Sequence, residues 1–182
     1  MNDDKNHAFG AKLATADPMN DLRLKAARKR LAESKDQEDA IDGLREIVAN
    51  FLGSEEMGLF RVHRGPMSFK FFWSFGIDLE NYDLLRALGE TGLQRVMRGE
   101  SHVELGARDH SGATAKARVF VPIRLADQTI AILAILRLLP QKIAFDWSDM
   151  ELFQLLSDEA AKPLFGPNGH STQVTEGPGM RA

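Results

Sequence analysis

The sequence predicts an α+β domain in which a mainly antiparallel central sheet carries the N- and C-terminal helices on one face. Three observations point there. Apolar residues recur at three- and four-residue intervals over 40–51 and again over 152–160, the spacing of amphipathic helices. Between them the period falls to two across 57–75 and becomes a β-branched, apolar run across 118–139. Short turns split both stretches, so each reads as a hairpin, and hairpins followed by helices assemble as a layered α+β fold.

Length and composition set the frame. A chain of 182 residues holds one domain with a full core. A hydrophobic fraction of 43% and a charged fraction of 27% are those of a globular protein. The net charge of -3 gives no general affinity for a polyanion, so no nucleic-acid partner is expected. Cysteine is absent, which removes disulfides, thiolate metal sites and thiol nucleophiles. Residues 1–10 are polar, with Asp3 and Asp4, and do not form a secretory signal. The longest apolar stretch, 129–139, carries Arg137 and is far short of the ~20 residues a membrane helix needs, so a cytoplasmic protein without a membrane span is expected.

Four segments follow from the same reading: a disordered N-terminus at 1–16, a basic helix within 17–36, a folded domain at 37–165, and a disordered Gly/Pro-rich tail at 166–182. Asp17 before Pro18 is a helix start. The helix that follows has few apolar residues but carries Arg23, Lys25, Arg28, Lys29 and Arg30, which suits a surface or an acidic protein partner. The next helix uses Ala40, Ile41, Leu44, Ile47, Val48 and Phe51 and ends near Gly53. Two strands, 57–62 and 69–75, flank the turn at 63–66, and alternation puts Phe69, Phe71, Trp73 and Phe75 on one buried face with Phe72 on the other. Gly89 and Gly92 divide a helical stretch at 81–97 into two pieces, and a short strand at 101–106 leads into a loop at 107–115.

In the second hairpin the later strand is buried on both faces, and Pro122 puts the earlier one at an edge or kinks it. The final helix is signed by a capping box from Ser148 to Glu151 and a staple from Trp147 to Leu152, and Pro163 stops it.

Three segments resemble the GAF domain, a sensory fold related to PAS. The run 119–125, turn, 129–136 is similar to the family's central VPL hairpin, with Ala131 where glycine is usual. The segment 145–153 resembles the lead-in to its last helix, and 93–100 the turn before its middle strand. The resemblance implies a ligand pocket between the sheet and the helical pieces at 80–98. The N-K-x-x-F-x-x-x-D-E signature of the cyclic-nucleotide branch is missing, and the bilin-binding and methionine-sulfoxide-reductase branches need a cysteine. No cofactor is implied.

Individual residues sharpen these expectations. His102 and Glu104, two apart in a strand, share a face and could ligate a metal or exchange protons. A solvated strand face is the favoured reading, because no further ligand-spaced residue accompanies them; neither metal site nor catalytic residue is assigned. Asp109, His110 and Ser111 collect triad residue types without a nucleophile elbow. Phe72, Arg86, His102 and Arg118 are the candidate pocket residues. The resemblance implies a dimer packed through the first and last helices, as is common among GAF relatives, so Ile41, Leu44, Val48, Phe51, Phe153 and Leu156 are candidate interface residues. The expected activity is regulatory, exerted on a signalling protein partner or within a homodimer, with a small-molecule sensor as the alternative.

Overall fold

A computed structural model of the chain describes residues 18–104, 118–138 and 145–166. The expected disordered ends, the Asp17 cap and the Asp109–His110–Ser111 group lie outside the described residues. In chain order the elements are α1 (Pro18–Ala32), α2 (Gln37–Ile47), a π-helical turn (Val48–Leu52), β1 (Ser54–His63), β2 (Ser68–Phe75), α3 (Leu84–Met97), β3 (His102–Glu104), β4 (Arg118–Leu125), β5 (Gln128–Leu138), α4 (Trp147–Glu159) and α5 (Ala161–Phe165). The five strands form one antiparallel sheet in the order β2-β1-β5-β4-β3.

The central strand, β5, has no polar face over most of its length. Ala131, Leu133 and Ile135 point into a core shared with α1, α2, α4 and α5. Ile132, Ala134 and Leu136 point the other way, to Phe60, Phe120, Leu79 and the α3 residues Leu84, Leu88 and Val96. The domain is therefore three layers: terminal helices, sheet, and α3 with the segment leading into it.

Alternation fails in β2. Leu59 pairs with Trp73 but Phe60 pairs with Phe71, so Phe72 is an extra residue, a β-bulge. Past the bulge the side-chain order inverts. Phe69 and Phe71 pack on the α3 side, whereas Phe72, Trp73 and Phe75 pack with the terminal helices. The expected single face of four aromatics is thus split between the two cores, and Phe72 stands on the helix side.

Pro122 does not make β4 an edge strand. β4 lies between β5 and β3, but β3 pairs only with Arg118–Phe120, so among the described residues Pro122 sits where the outer side of β4 has no strand neighbour and no amide is needed. In α3 the break falls at Gly89 alone (φ 60°, ψ -175°), a conformation open only to glycine. Gly92 stays helical and instead makes room for the His102 ring, which a Cβ would meet at 2.7 Å.

The last helix starts two residues earlier than the Ser148 cap implies. Asp146 is the N-cap, accepting from the Asp149 amide, and Asp149 returns the bond to the Asp146 amide. Carboxylates at both positions make the stronger box, because each accepts with a full charge at the positive end of the helix. Trp147 is then a first-turn residue pointing to solvent, 77% exposed, and Phe145 takes the inward role, edge-on to Phe153 at 5.2 Å. Nor does Pro163 end this helix: α4 closes at Glu159, and Pro163 falls in the first turn of α5, where its missing N–H is tolerated.

The helix α1 is held by a narrow apolar seam and by charge. Only Ala27 and Leu31 are buried, but Arg23 reaches Asp149, itself fully buried, at 2.8 Å, and also bonds Ser148 Oγ. Arg28 meets Glu159, and Arg30 bridges Asp39 and Glu46. Lys25 pairs with Asp21 inside the helix, and Lys29 with Glu33 just past its end. The basic stripe expected to face a partner protein is thus neutralised within the chain.

Three substitutions test this account. Asp149→Ala removes both the capping box and the partner of Arg23, and is expected to lower stability by about 2–4 kcal/mol in urea unfolding. Gly76 has φ +72° and its Cβ would lie 1.8 Å from the Glu55 carbonyl oxygen, so Gly76→Ala is expected to cost at least about 2 kcal/mol. Gly65→Ala, in open space, is expected to stay within about 0.5 kcal/mol of the parent.

Candidate functional site

Two regions have the make-up of a site. The first lies on the α3 side of the sheet. Glu104 and Arg118 are paired residues of β3 and β4, and His102 pairs with Phe120 in the same ladder. Arg118 Nη2 is 2.6 Å from Glu104 Oε2, and His102 Nε2 is 3.7 Å from Glu104 Oε1. The imidazole stacks on Phe120 at 6.3 Å and 15°. The side chains of His102 and Glu104 do point to one face, and the neighbour that Glu104 binds most closely is Arg118.

Tyr82, just ahead of α3, completes the group. Burial pushes its hydroxyl above the ordinary tyrosine range, the charge of Arg118 works against that, and Glu104 adds to the rise. The hydroxyl is buried near Arg118 without the geometry of a hydrogen bond, and His102 Nδ1 is likewise buried without a partner among the described residues. Two polar atoms in that condition are costly unless something satisfies them. Tyr82 is a residue that pattern reasoning missed, although it is the single tyrosine of the chain and directly precedes a helix start.

The other candidate pocket residues are placed elsewhere. Arg86 is in the first turn of α3, exposed, with its amide bonded to the Asp83 cap and no side-chain hydrogen bond or ion pair to the Tyr82 group among the described residues. Phe72 lies on the opposite side of the sheet, against Phe165. Of the candidate interface residues, Leu44, Val48, Phe153 and Leu156 are fully buried within the chain, because α1 packs on α4 and α5 on α2. Ile41 and Phe51 are partly buried. No cluster of three or more metal-ligating side chains occurs among the described residues.

The second region is a groove of about 440 Å³ between α1, the π-helical turn and the start of α4, lined by Met19, Leu22, Arg23, Ala26, Phe51 and Ser148. Leu22 is 60% exposed, and Trp147 adjoins Ser148 in the chain. Sequence patterning hid this patch: Trp147 reads as a staple until the cap is known to be Asp146.

No family model matches the sequence, and neither does any curated protein. Solved structures do. The GAF domain of a phosphoenolpyruvate-protein phosphotransferase from Coxiella burnetii superposes with a TM-score of 0.59 at 17% identity, covering 80% of this chain and 93% of that one. The GAF domain of the Acinetobacter phosphoenolpyruvate-protein phosphotransferase gives 0.55 at 18% identity, covering 80% and 94%. A GAF domain/HD domain protein from Geobacter sulfurreducens gives 0.54 at 12%, covering 71% and 92%. The chain has a GAF-domain fold.

In the GAF frame, the Tyr82, His102, Glu104 and Arg118 group occupies the layer between sheet and α3, and the Leu22 groove lies on the opposite, helical side. No helix among the described residues is long and apolar enough to cross a membrane.

Tyr82 supplies a direct test of this geometry. Its folded-state pKa stands above the unfolded value of 10.0, so the neutral phenol favours folding. That contribution is complete below the unfolded value and is lost as pH rises through the folded one. Phenolate absorbance reports this one residue, and its midpoint is expected above that of the denatured chain. Tyr82→Phe is expected to flatten the alkaline fall in stability, while an unshifted midpoint would mean that the hydroxyl faces water.

Proposed function

We propose that this GAF-fold chain is a non-catalytic regulatory module that acts through protein contacts, with another signalling protein or with a second copy of itself. The observation that carries this reading is the exposed apolar ground at the α1/α4 corner. Met19 and Leu22, 73% and 60% exposed, line a groove whose walls are mostly apolar, and Trp147, 77% exposed, directly precedes its lining residue Ser148 in the chain. Large side chains exposed together around a concavity mark contact surfaces more often than they occur by chance. Leu44, Val48, Phe153 and Leu156 are buried within the single chain, and the proposed interface uses the outer surface of α1 and the first turn of α4. The regulatory role accords with the solved domains of the same fold.

A second reading, a small-molecule sensor, is favoured by the Tyr82 hydroxyl and His102 Nδ1, which are buried without a hydrogen-bond partner among the described residues beside the Arg118–Glu104 pair. A ligand with both a donor and an anionic or carbonyl acceptor would fit such a group.

Native mass spectrometry of the protein isolated from its own cells separates the two. Protein contacts predict a dimer or a heteromeric complex that the double variant Leu22→Ser/Trp147→Ser reduces to single chains. A bare single chain in both samples would refute that reading. A small-molecule adduct that survives in the double variant but is lost in Arg118→Ala would establish the sensor instead.

A further inference from the structure

On the helix-covered side of the sheet, away from both regions above, Arg61 of β1 differs from most arginines of the domain. Arg23, Arg28, Arg30, Arg118, Arg124 and Arg137 each meet a carboxylate. Arg61 meets none among the described residues, and its Nε is buried without a hydrogen-bond partner. What fixes it is aromatic: its guanidinium carbon stands 4.7 Å from the centroid of Phe72 and 4.7 Å from that of Phe165. The two rings are themselves edge-on at 5.5 Å, so the guanidinium rests in the corner they form. The bulge that turns Phe72 to this side and the short helix α5 that delivers Phe165 are both needed to build that corner.

A second cation stands opposite. Lys70 is the register partner of Arg61 across β1 and β2, and directly opposed residues share a face with Cβ atoms about 5 Å apart. Lys70 is exposed and has no carboxylate among the described residues. Like charges directly opposed in a ladder destabilise it, and no acidic side chain among the described residues relieves this pair.

We propose that Arg61 and Lys70 form a binding site for a phosphate group carried by a small molecule. The rings hold the guanidinium in one orientation and close its Nε edge, so the two terminal nitrogens remain to grip an oxyanion in the bidentate manner that suits arginine. Lys70 adds a second positive charge to the same face, which matches a dianion better than a monoanion. An anion seated there would also remove the repulsion within the pair. The site would be independent of the Tyr82 group, since the sheet separates them.

The test is a titration of the whole chain with inorganic phosphate at constant ionic strength, above the second ionisation of phosphate, followed by amide and arginine Nε–H resonances in nuclear magnetic resonance spectra. Saturable shifts centred on Arg61, Lys70, Phe72 and Phe165 are expected, with affinity at least about tenfold weaker in Lys70→Gln and lost in Arg61→Gln. Lys70 is exposed, so its variant keeps the test decisive if Arg61→Gln fails to fold. Shifts that never saturate, or that are unchanged in Lys70→Gln, would overturn the site and leave the ring contacts as packing alone. Equal saturation by acetate would overturn the preference for a dianion.

Discussion

A central strand with two apolar faces governs this molecule. Each fully buried Leu or Ile of β5 is worth roughly 1.5–3 kcal/mol only if something covers it, and the strand presents such residues to both sides. One layer of helices would leave Ile132, Ala134 and Leu136 in water. The chain therefore needs α3 and the segment before it on one side as much as it needs α1, α2, α4 and α5 on the other. The sheet order follows from the same need, since β5 lies in the middle and the shorter or more polar strands lie outside.

Charge completes what apolar burial leaves unfinished. The first helix buries only a narrow apolar seam, Ala27 and Leu31, and ion pairs to α2 and α4 supplement it. Most of these contacts are partly exposed and individually weak. The exception is Arg23 on Asp149, where a carboxylate removed from water serves the helix cap and the ion pair together. Removing a partner from such an arrangement costs more than its formation contributes, because a buried charge is left behind. The position of α1 is thereby tied to the start of α4, and this corner also carries the groove beside Leu22.

Much of the architecture can be read from residues alone. Helical spacing in 40–51, β-branched runs in 118–138 and the short turn between β4 and β5 lead directly to the helices and hairpins observed. The site is less legible. His102 and Glu104 share a face as strand periodicity requires, but Tyr82 joins them from a distant part of the sequence, and Arg86 and Phe72 do not. No local pattern announces which side chains a fold will gather from separate elements.

What the sequence by itself determined was the class of each element, because periodicity is a local property that burial then enforces. Tertiary structure decided where local rules compete. A single bulge at Phe72 inverts the faces of β2, and the pairing demands of β1 set it. Asp146 outcompetes Ser148 as a cap because a carboxylate accepts more strongly at a helix start and because Arg23 draws Asp149 into the core. Trp147 is left outside for the same reason. In each case several conformations satisfy the local chemistry equally well, and contacts made across the fold, through neighbours far apart in sequence, select one.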